Sequence, residues 1–392
     1  MLRARSPFGL VTLAFSTLAA LAAAGLVGCG GDESGAGGAP LPVPAQGVTL
    51  TDVDLYQAVE VPLARAGATA ESTVPVVAGR DALVRVSVEA AEGFEPRDLR
   101  GVLTLTSAEA EPATVDVTRF VSGTSAHDTL DGTINFPIGG DAILPDTALR
   151  VELFEVEPGS SEGIAPVAWP EVDPHPLGAF DVGEVTRVIL IPIQYEGDGS
   201  GRMPDTSDEQ LERYRARIQS MFPTPEVVLE LGTTWPWFGD VLPNGSGWVE
   251  MLSAFANDHH GAGSDPKAYY YGVFEPKSSF GSYCSGGCVA GLSFSSTSAA
   301  YDDARSSVGL GFSGAASADT LVHELGHAHG QGPHAPCGGA GDVDPKYPHP
   351  GGVIGVWGLD LAQQQLYAPD FAKDLMGYCP NIWVSDYVYG VF

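Results

Sequence analysis

Two rhythms of apolar and polar residues divide the chain. From 48 to about 157 the runs alternate and favour β-branched residues, as in 48–61, 82–89 (Ala-Leu-Val-Arg-Val-Ser-Val-Glu), 102–106, 113–120 and 149–156. A period of two sends successive side chains to opposite faces of a strand. Turn residues part the runs at 78–80, 92–93 and 131–132, and short strands so spaced predict a β-sandwich domain over 48–157. That stretch has no cysteine, no histidine cluster and no glycine-rich phosphate loop, so a structural or positioning role is expected of it. Residues 158–184, rich in Pro, Ser, Glu and Gly, are expected to serve as a connector.

At 185 the rhythm changes. Val-Thr-Arg-Val-Ile-Leu-Ile-Pro-Ile-Gln-Tyr at 185–195 is nearly continuous in apolar residues, the mark of a strand buried on both faces. Pro204-Asp205-Thr206-Ser207 then opens a helix to about 220, with Ser207 and Gln210, or Thr206 and Glu209, as a capping box. Further strands are expected at 227–231, 268–274, 289–295 and 307–312, and a helix at 248–257. Strands interleaved with helices predict an α/β (α+β) domain over 185–392. The acidic loop at 196–200 lacks the later bidentate Glu of a calcium loop and reads as a solvated turn.

Composition agrees with a folded chain of about two domains: 392 residues, 44% hydrophobic and only 17% charged. The net charge of −30 repels nucleic-acid phosphates and acidic lipid leaflets alike, so neither is an expected partner. The first five residues carry two arginines, 8–27 are apolar and small, and Leu26-Val27-Gly28-Cys29 follows. This is a secretory signal, 1–28, not a spanning helix. Its end resembles the lipobox of bacterial lipoproteins, which implies a diacylglycerol on Cys29 and a flexible tether over 29–47. The expectation is an exported bacterial lipoprotein of the cell envelope, at the outer membrane on its periplasmic or surface side. Membrane contact is then through the lipid alone. Four cysteines remain, Cys284, Cys288, Cys337 and Cys379, an even number that favours two disulfides in an exported protein. Three pairings are open to the sequence. The expected one joins Cys284 to Cys288 and Cys337 to Cys379.

The chemistry concentrates in Leu321-Val322-His323-Glu324-Leu325-Gly326-His327. Ser317 is the expected N-cap of a helix on which His323 and His327 lie one turn apart, their imidazoles on one face. Two such nitrogens suit one metal ion. Glu324, beside the first ligand, can act on a water as a base without ligating. Gly330 closes the helix and the chain turns back through Gln331-Gly332-Pro333 to His334, the expected third ligand. His329 points away from that face. Three protein ligands leave one position open, the arrangement of a catalytic zinc ion, Zn2+. His259, His260 and His349 are expected on loops or the surface, and no Ser or Cys nucleophile offers a rival centre.

These residues resemble the metzincin metalloproteases, whose pattern is His-Glu-x-x-His-x-x-Gly-x-x-His with a later Met-turn. The match runs from His323 to Gly330; Pro333 stands where the family has its third histidine, so His334 arrives through a one-residue insertion. The resemblance implies that Met376, in Asp374-Leu375-Met376-Gly377-Tyr378-Cys379, packs beneath the zinc. It also implies that Tyr378 corresponds to the tyrosine that swings between metal and transition state in astacin-type enzymes. Within the metzincins, 185–392 is most similar to the StcE-like secreted metalloproteases. The carriers are His334-Ala335-Pro336-Cys337-Gly338, Ile354-Gly355-Val356-Trp357-Gly358 and Met376-Gly377-Tyr378-Cys379 ahead of Trp383-Val384-Ser385-Asp386-Tyr387. The implied function is a zinc endopeptidase acting on extracellular proteins or glycoproteins. The alternative is a binding or adhesion lipoprotein on the same fold with a weak or inactive site. Glu324 favours the enzyme, because a structural zinc needs no base.

Overall fold

The computed structural model describes residues 42–157, 159, 161–183, 185–259, 264–295 and 305–392. The signal over 1–28, Cys29, most of the tether and His260 lie outside the described residues. Among the described residues no helix is long and apolar enough to cross a membrane.

The alternating first part forms two antiparallel sheets. One orders β3 (Ala68–Thr69), β2 (Glu60–Arg65), β1 (Val48–Tyr56), β4 (Ala82–Ala90) and β7 (Ile134–Ile138). The other orders β10 (His175–Pro176), β8 (Ala148–Glu155), β5 (Arg97–Thr106) and β6 (Ala113–Val121), with β9 (Val167–Trp169) also on β8. Along β5 the alternate residues Leu99, Gly101, Leu103 and Leu105 face inward, as a half-buried strand requires. They meet Val53, Val84 and Phe136 of the first sheet in one core. Gly101 is small for a reason: a β-carbon there would stand 2.6 Å from the Phe136 ring across the sandwich. The expected connector at 158–184 corrects itself here. It supplies β9 and β10, and so extends the second sheet.

The second part is built on a mixed sheet in the order β12 (Val227–Leu231), β11 (Thr186–Tyr195), β14 (Tyr269–Phe274), β16 (Ser306–Leu310) and β15 (Gly291–Ser293). All its pairs are parallel except β15 on β16, and β13 (Trp235–Trp237) also pairs with β11 in parallel. Pro192, which has no N–H for a ladder, falls in the gap between the β12 and β13 pairings. Helices cover both faces, which explains the unbroken apolar run in β11. Val188 and Leu190 pack toward α1 (Asp208–Met221) and α4 (Ala315–His329). Ile191 and Ile193 pack toward α2 (Trp248–His259) on the other side.

Ser207 caps α1 by accepting from the Gln210 N–H, but the reciprocal half of the box is not made. The Gln210 side chain instead bonds Gly314 and Ser317 at the start of α4. That exchange also corrects the N-cap of α4. Gly314, at φ 113°, is the cap, and Ser317 lies inside the first turn with its hydroxyl donating to the Phe312 carbonyl at 2.7 Å. Residues 331–392 carry little regular structure: α3 (Phe280–Tyr283) precedes them, and they contain hairpin β17 (Gly358–Asp360) and β18 (Gln365–Tyr367), the pair β19 (Lys373–Asp374) and β20 (Ile382–Trp383), and α5 (Asp386–Val391).

Residues 41–392 form one compact unit. Ala58, Val59 and Val77 of the sandwich enter the core of α1 and α4. Arg80 is fully buried between the two parts. Its guanidinium donates to the carbonyls of Phe222 at 2.6 Å, Thr224 at 2.9 Å, Gln219 at 2.7 Å and Gln57 at 2.8 Å.

Candidate metal centre

The helix bearing the motif ends where a left-handed residue allows it to. Gly330 has φ 127°, and its N–H reaches the carbonyls of Gly326 and His327. Within α4, Leu321, Val322, Leu325 and Ala328 are buried against the sheet, which fixes the face from which His323 and His327 emerge. Their ring centroids stand 4.8 Å apart.

Each ring is oriented through its second nitrogen. His323 Nδ1 donates to the Leu375 carbonyl at 2.7 Å, and His327 Nδ1 to the Gln331 carbonyl at 2.8 Å. A carbonyl only accepts, so each Nδ1 carries the proton and each Nε2 keeps its lone pair for a ligand bond. Burial pushes His323 down to about 3 and His327 down to about 4, so both imidazoles are neutral, the form that ligates.

His334 arrives from the loop after the helix, and the late position is accommodated by strand-like pairing. Its N–H donates to the Asp342 carbonyl at 2.9 Å, and its carbonyl accepts from Asp344 at 2.8 Å. The next residue, Ala335, donates to the Met376 carbonyl at 3.1 Å, and Tyr378 donates to the Cys337 carbonyl at 3.1 Å. The loop is thereby stitched to the turn at 374–379, and the Cys337–Cys379 disulfide closes the same seam. Cys284 and Cys288 form the other disulfide. One donor atom from each of His323, His327 and His334 lies within 4.8 Å of the other two. Burial lowers the pKa of the His334 ring too. Three neutral imidazoles whose donor atoms converge in this way fit a zinc ion.

Glu324 is buried on the same helix, and burial pushes its carboxyl up to about 8. It lies against edge strand β15, where a β-carbon on Gly291 would come within 2.5 Å of its Oε1. Tyr378 is 57% exposed at the mouth of the cluster, with its hydroxyl 3.0 Å from His334 Nε2. Met376 is fully buried beneath α4, against Gly326.

The other histidines are placed elsewhere. His329 is half-buried, with Nε2 3.0 Å from the Phe392 backbone oxygen and Nδ1 on the Tyr269 hydroxyl. His349 pairs with Asp386 at 2.6 Å, and His259 bonds the Phe255 carbonyl at 2.8 Å.

Sequence reasoning passed over several supports of this centre. Asp374 is fully buried, accepting from the N–H groups of Met376 and Ser385 at 2.8 Å each, and so holds the turn under the helix. An Asp two residues before the Met was a readable turn signal. Gln331 closes the loop by donating to the Pro333 carbonyl at 3.0 Å. The roles of Leu375 and Gln331 toward the imidazoles use backbone carbonyls, which every residue has, so no sequence signal exists for them.

No known protein-family model matches the chain, and no curated protein is similar to it. Among solved structures, 25 chains show some likeness. One, described as "Structure of a chaperone-substrate complex", is 13% identical with a TM-score of 0.26, over 66% of this chain and 38% of that one. The present chain thus spans well under half the length of that protein, and a likeness of this size carries no argument.

Proposed function

We propose that the chain is a zinc-dependent endopeptidase of the metzincin type, tethered to the cell envelope by a lipid on Cys29, that cuts extracellular proteins or glycoproteins. The observation that carries this reading is the convergence of His323, His327 and His334 beside a buried Glu324. The metzincin assignment is supported by a sheet ending in an antiparallel edge strand next to the histidine helix, and by Met376 packed beneath that helix.

His323, His327 and His334 would hold the zinc, which supplies Lewis acidity that polarises a scissile carbonyl and acidifies a water. Glu324 does the proton work: its carboxylate takes a proton from the attacking water and delivers it to the leaving amine. Burial alone disfavours that carboxylate; a dication nearby favours it again. Tyr378 directs its hydroxyl into the same space and can donate to the developing oxyanion. The outer edge of β15 can pair with an extended substrate, which places a backbone carbonyl close to Glu324.

The test compares the native chain with Glu324→Ala for zinc content and for cleavage of a protein and a glycoprotein substrate. The variant is expected to keep the native zinc content and to cleave at least about 100-fold more slowly. A native chain that holds zinc and cuts nothing would sink the protease reading in favour of a binding lipoprotein.

A further inference from the structure

The sandwich, for which the sequence promised only a structural role, contains a second gathering of metal-binding donors. Asp54 on β1, Glu60 at the start of β2 and His127 in the loop between β6 and β7 come together, one donor atom of each within 4.8 Å of the others. Glu60 and His127 line a cleft of about 530 Å³ with Arg65, Ser87 and Trp357, and Asp54 is buried behind them.

Asp54 has no exposed surface, and its Oδ2 has no hydrogen-bond partner. His127 Nδ1 stands 3.9 Å from that oxygen, beyond hydrogen-bond reach. Leaving a buried carboxylate oxygen bare is costly, and an ion would satisfy it. Arg65 bonds the other Asp54 oxygen and Glu60 Oε1, but its side chain is 42% exposed and sits at the end of its strand. Arg85, buried nearby, gives its bonds to the His127 and Thr129 carbonyls and to the Thr133 and Tyr56 hydroxyls, and none to either carboxylate.

We propose that Asp54, Glu60 and His127 form a second divalent-cation site, distinct from the three-histidine centre, that takes Mn2+ or Zn2+. One imidazole with two carboxylates suits these ions. Ca2+, which wants six to eight oxygens, is poorly served. Arg65 holds the negative charge in the absence of the ion and swings into solvent as the ion enters. The site also has a mechanical consequence. Glu60 donates from its N–H to the Trp357 carbonyl at 2.8 Å, and its Oε2 accepts from the Trp357 N–H at 3.2 Å. An ion on Glu60 therefore braces the second part of the molecule against the sandwich.

The experiment titrates Mn2+, Zn2+ and Ca2+ separately into the metal-stripped full chain and into a His323→Ala/His327→Ala variant that lacks the first centre. The variant is expected to bind one equivalent of Mn2+ or Zn2+ and none of Ca2+. Its melting temperature should rise by about 5 °C at a hundredfold excess over Kd. Adding Glu60→Gln and His127→Ala should abolish that equivalent, while Arg65→Gln should tighten it on the order of tenfold by removing the competing charge. No binding to the double variant overturns the site, as does binding that survives the loss of Glu60 and His127, or an Arg65→Gln affinity equal to the parent's. Failure of Glu324→Ala to change proteolysis would leave these outcomes untouched, because they are read without the first centre.

Discussion

A methyl group on Gly326 would stand 2.4 Å from the Met376 sulfur and 3.0 Å from the Phe392 ring. Helix propensity favours alanine by roughly 1 kcal/mol, but overpacking against a fully buried Met376 costs about 1–3 kcal/mol. Gly326→Ala is therefore expected to lose roughly 1 kcal/mol in chemical denaturation and to bind zinc more weakly, as the turn is pushed from the helix. Gly291→Ala acts on Glu324 instead, and should slow proteolysis with zinc content unchanged; unchanged turnover would mean that Glu324 moves aside freely. A third residue bears on pH. Glu275, just past β14, is pushed up to about 7 by burial first and by Asp205 second, against Arg202. A carboxyl raised in the folded state stabilises fully below its unfolded value of 4.5, and that stability is lost as pH rises through about 7. Melting curves from pH 4 to 8 should show Glu275→Gln gaining on the native chain across that window; parallel curves would refute it. At this scale the sequence was partly legible. His323, Glu324 and His327 stand out because ligand spacing is a property of the helix itself. Gly326 and Gly291 did not, because what forbids a side chain there comes from residues far along the chain.

Among the elements, strands and helices of strong period were readable, and those whose ends depend on partners were not. The alternation in β5 and the apolar run in β11 each reflect which faces are covered. The start of α4 was misplaced by three residues because the Gln210 side chain docks onto Gly314 and Ser317, a contact with no local signal. The loop from 331 to 344 could be expected to bring His334 back, but its pairing with Asp342 and Asp344 could not. That loop gives the disulfides unequal roles. Cys337–Cys379 spans 42 residues and closes the seam between the third histidine and the Met376 turn, whereas Cys284–Cys288 spans only 4. Chain entropy assigns the longer closure about 4 kcal/mol and the shorter about 2 kcal/mol. Replacing Cys337 and Cys379 by serine should weaken zinc binding and lower stability together, since His334 loses its anchor while His323 and His327 keep the helix. Replacing Cys284 and Cys288 should lower stability alone. Zinc titration and denaturation of both variants decide the matter, and equal zinc affinities would remove the long disulfide from the site.

At the scale of the molecule, the two rhythms of the sequence correspond to two sheet systems, yet they fold as one body. That unity was hidden because it rests on long-range contacts to backbone groups. Trp383 Nε1 donates to the Ala58 carbonyl at 2.9 Å, and Arg80 serves carbonyls about 140 positions away in sequence. A wholly buried cation with no carboxylate bonded to it is rare, and burial lowers the Arg80 pKa accordingly. It is tolerated because the carbonyls of Gln57, of the end of α1 and of the turn to β12 converge on its guanidinium. Arg80→Met keeps the apolar stem and removes the donors. It leaves the Gln57 and Gln219 carbonyls without these donors, while the Phe222 carbonyl keeps the Thr224 N–H and the Thr224 carbonyl keeps the Gln219 side chain, at a cost of roughly 3 kcal/mol. Because the core of α1 and α4 includes Ala58, Val59 and Val77, that loss should be felt by both parts at once. Native and variant proteins are each expected to melt in a single transition, the variant's at lower temperature, with hydrogen exchange in β4 and β11 accelerating together. Two separate transitions in the native protein, or a variant in which β11 exchanges faster while β4 is unaffected, would show instead that the sandwich and the sheet beside the three-histidine cluster are independent domains.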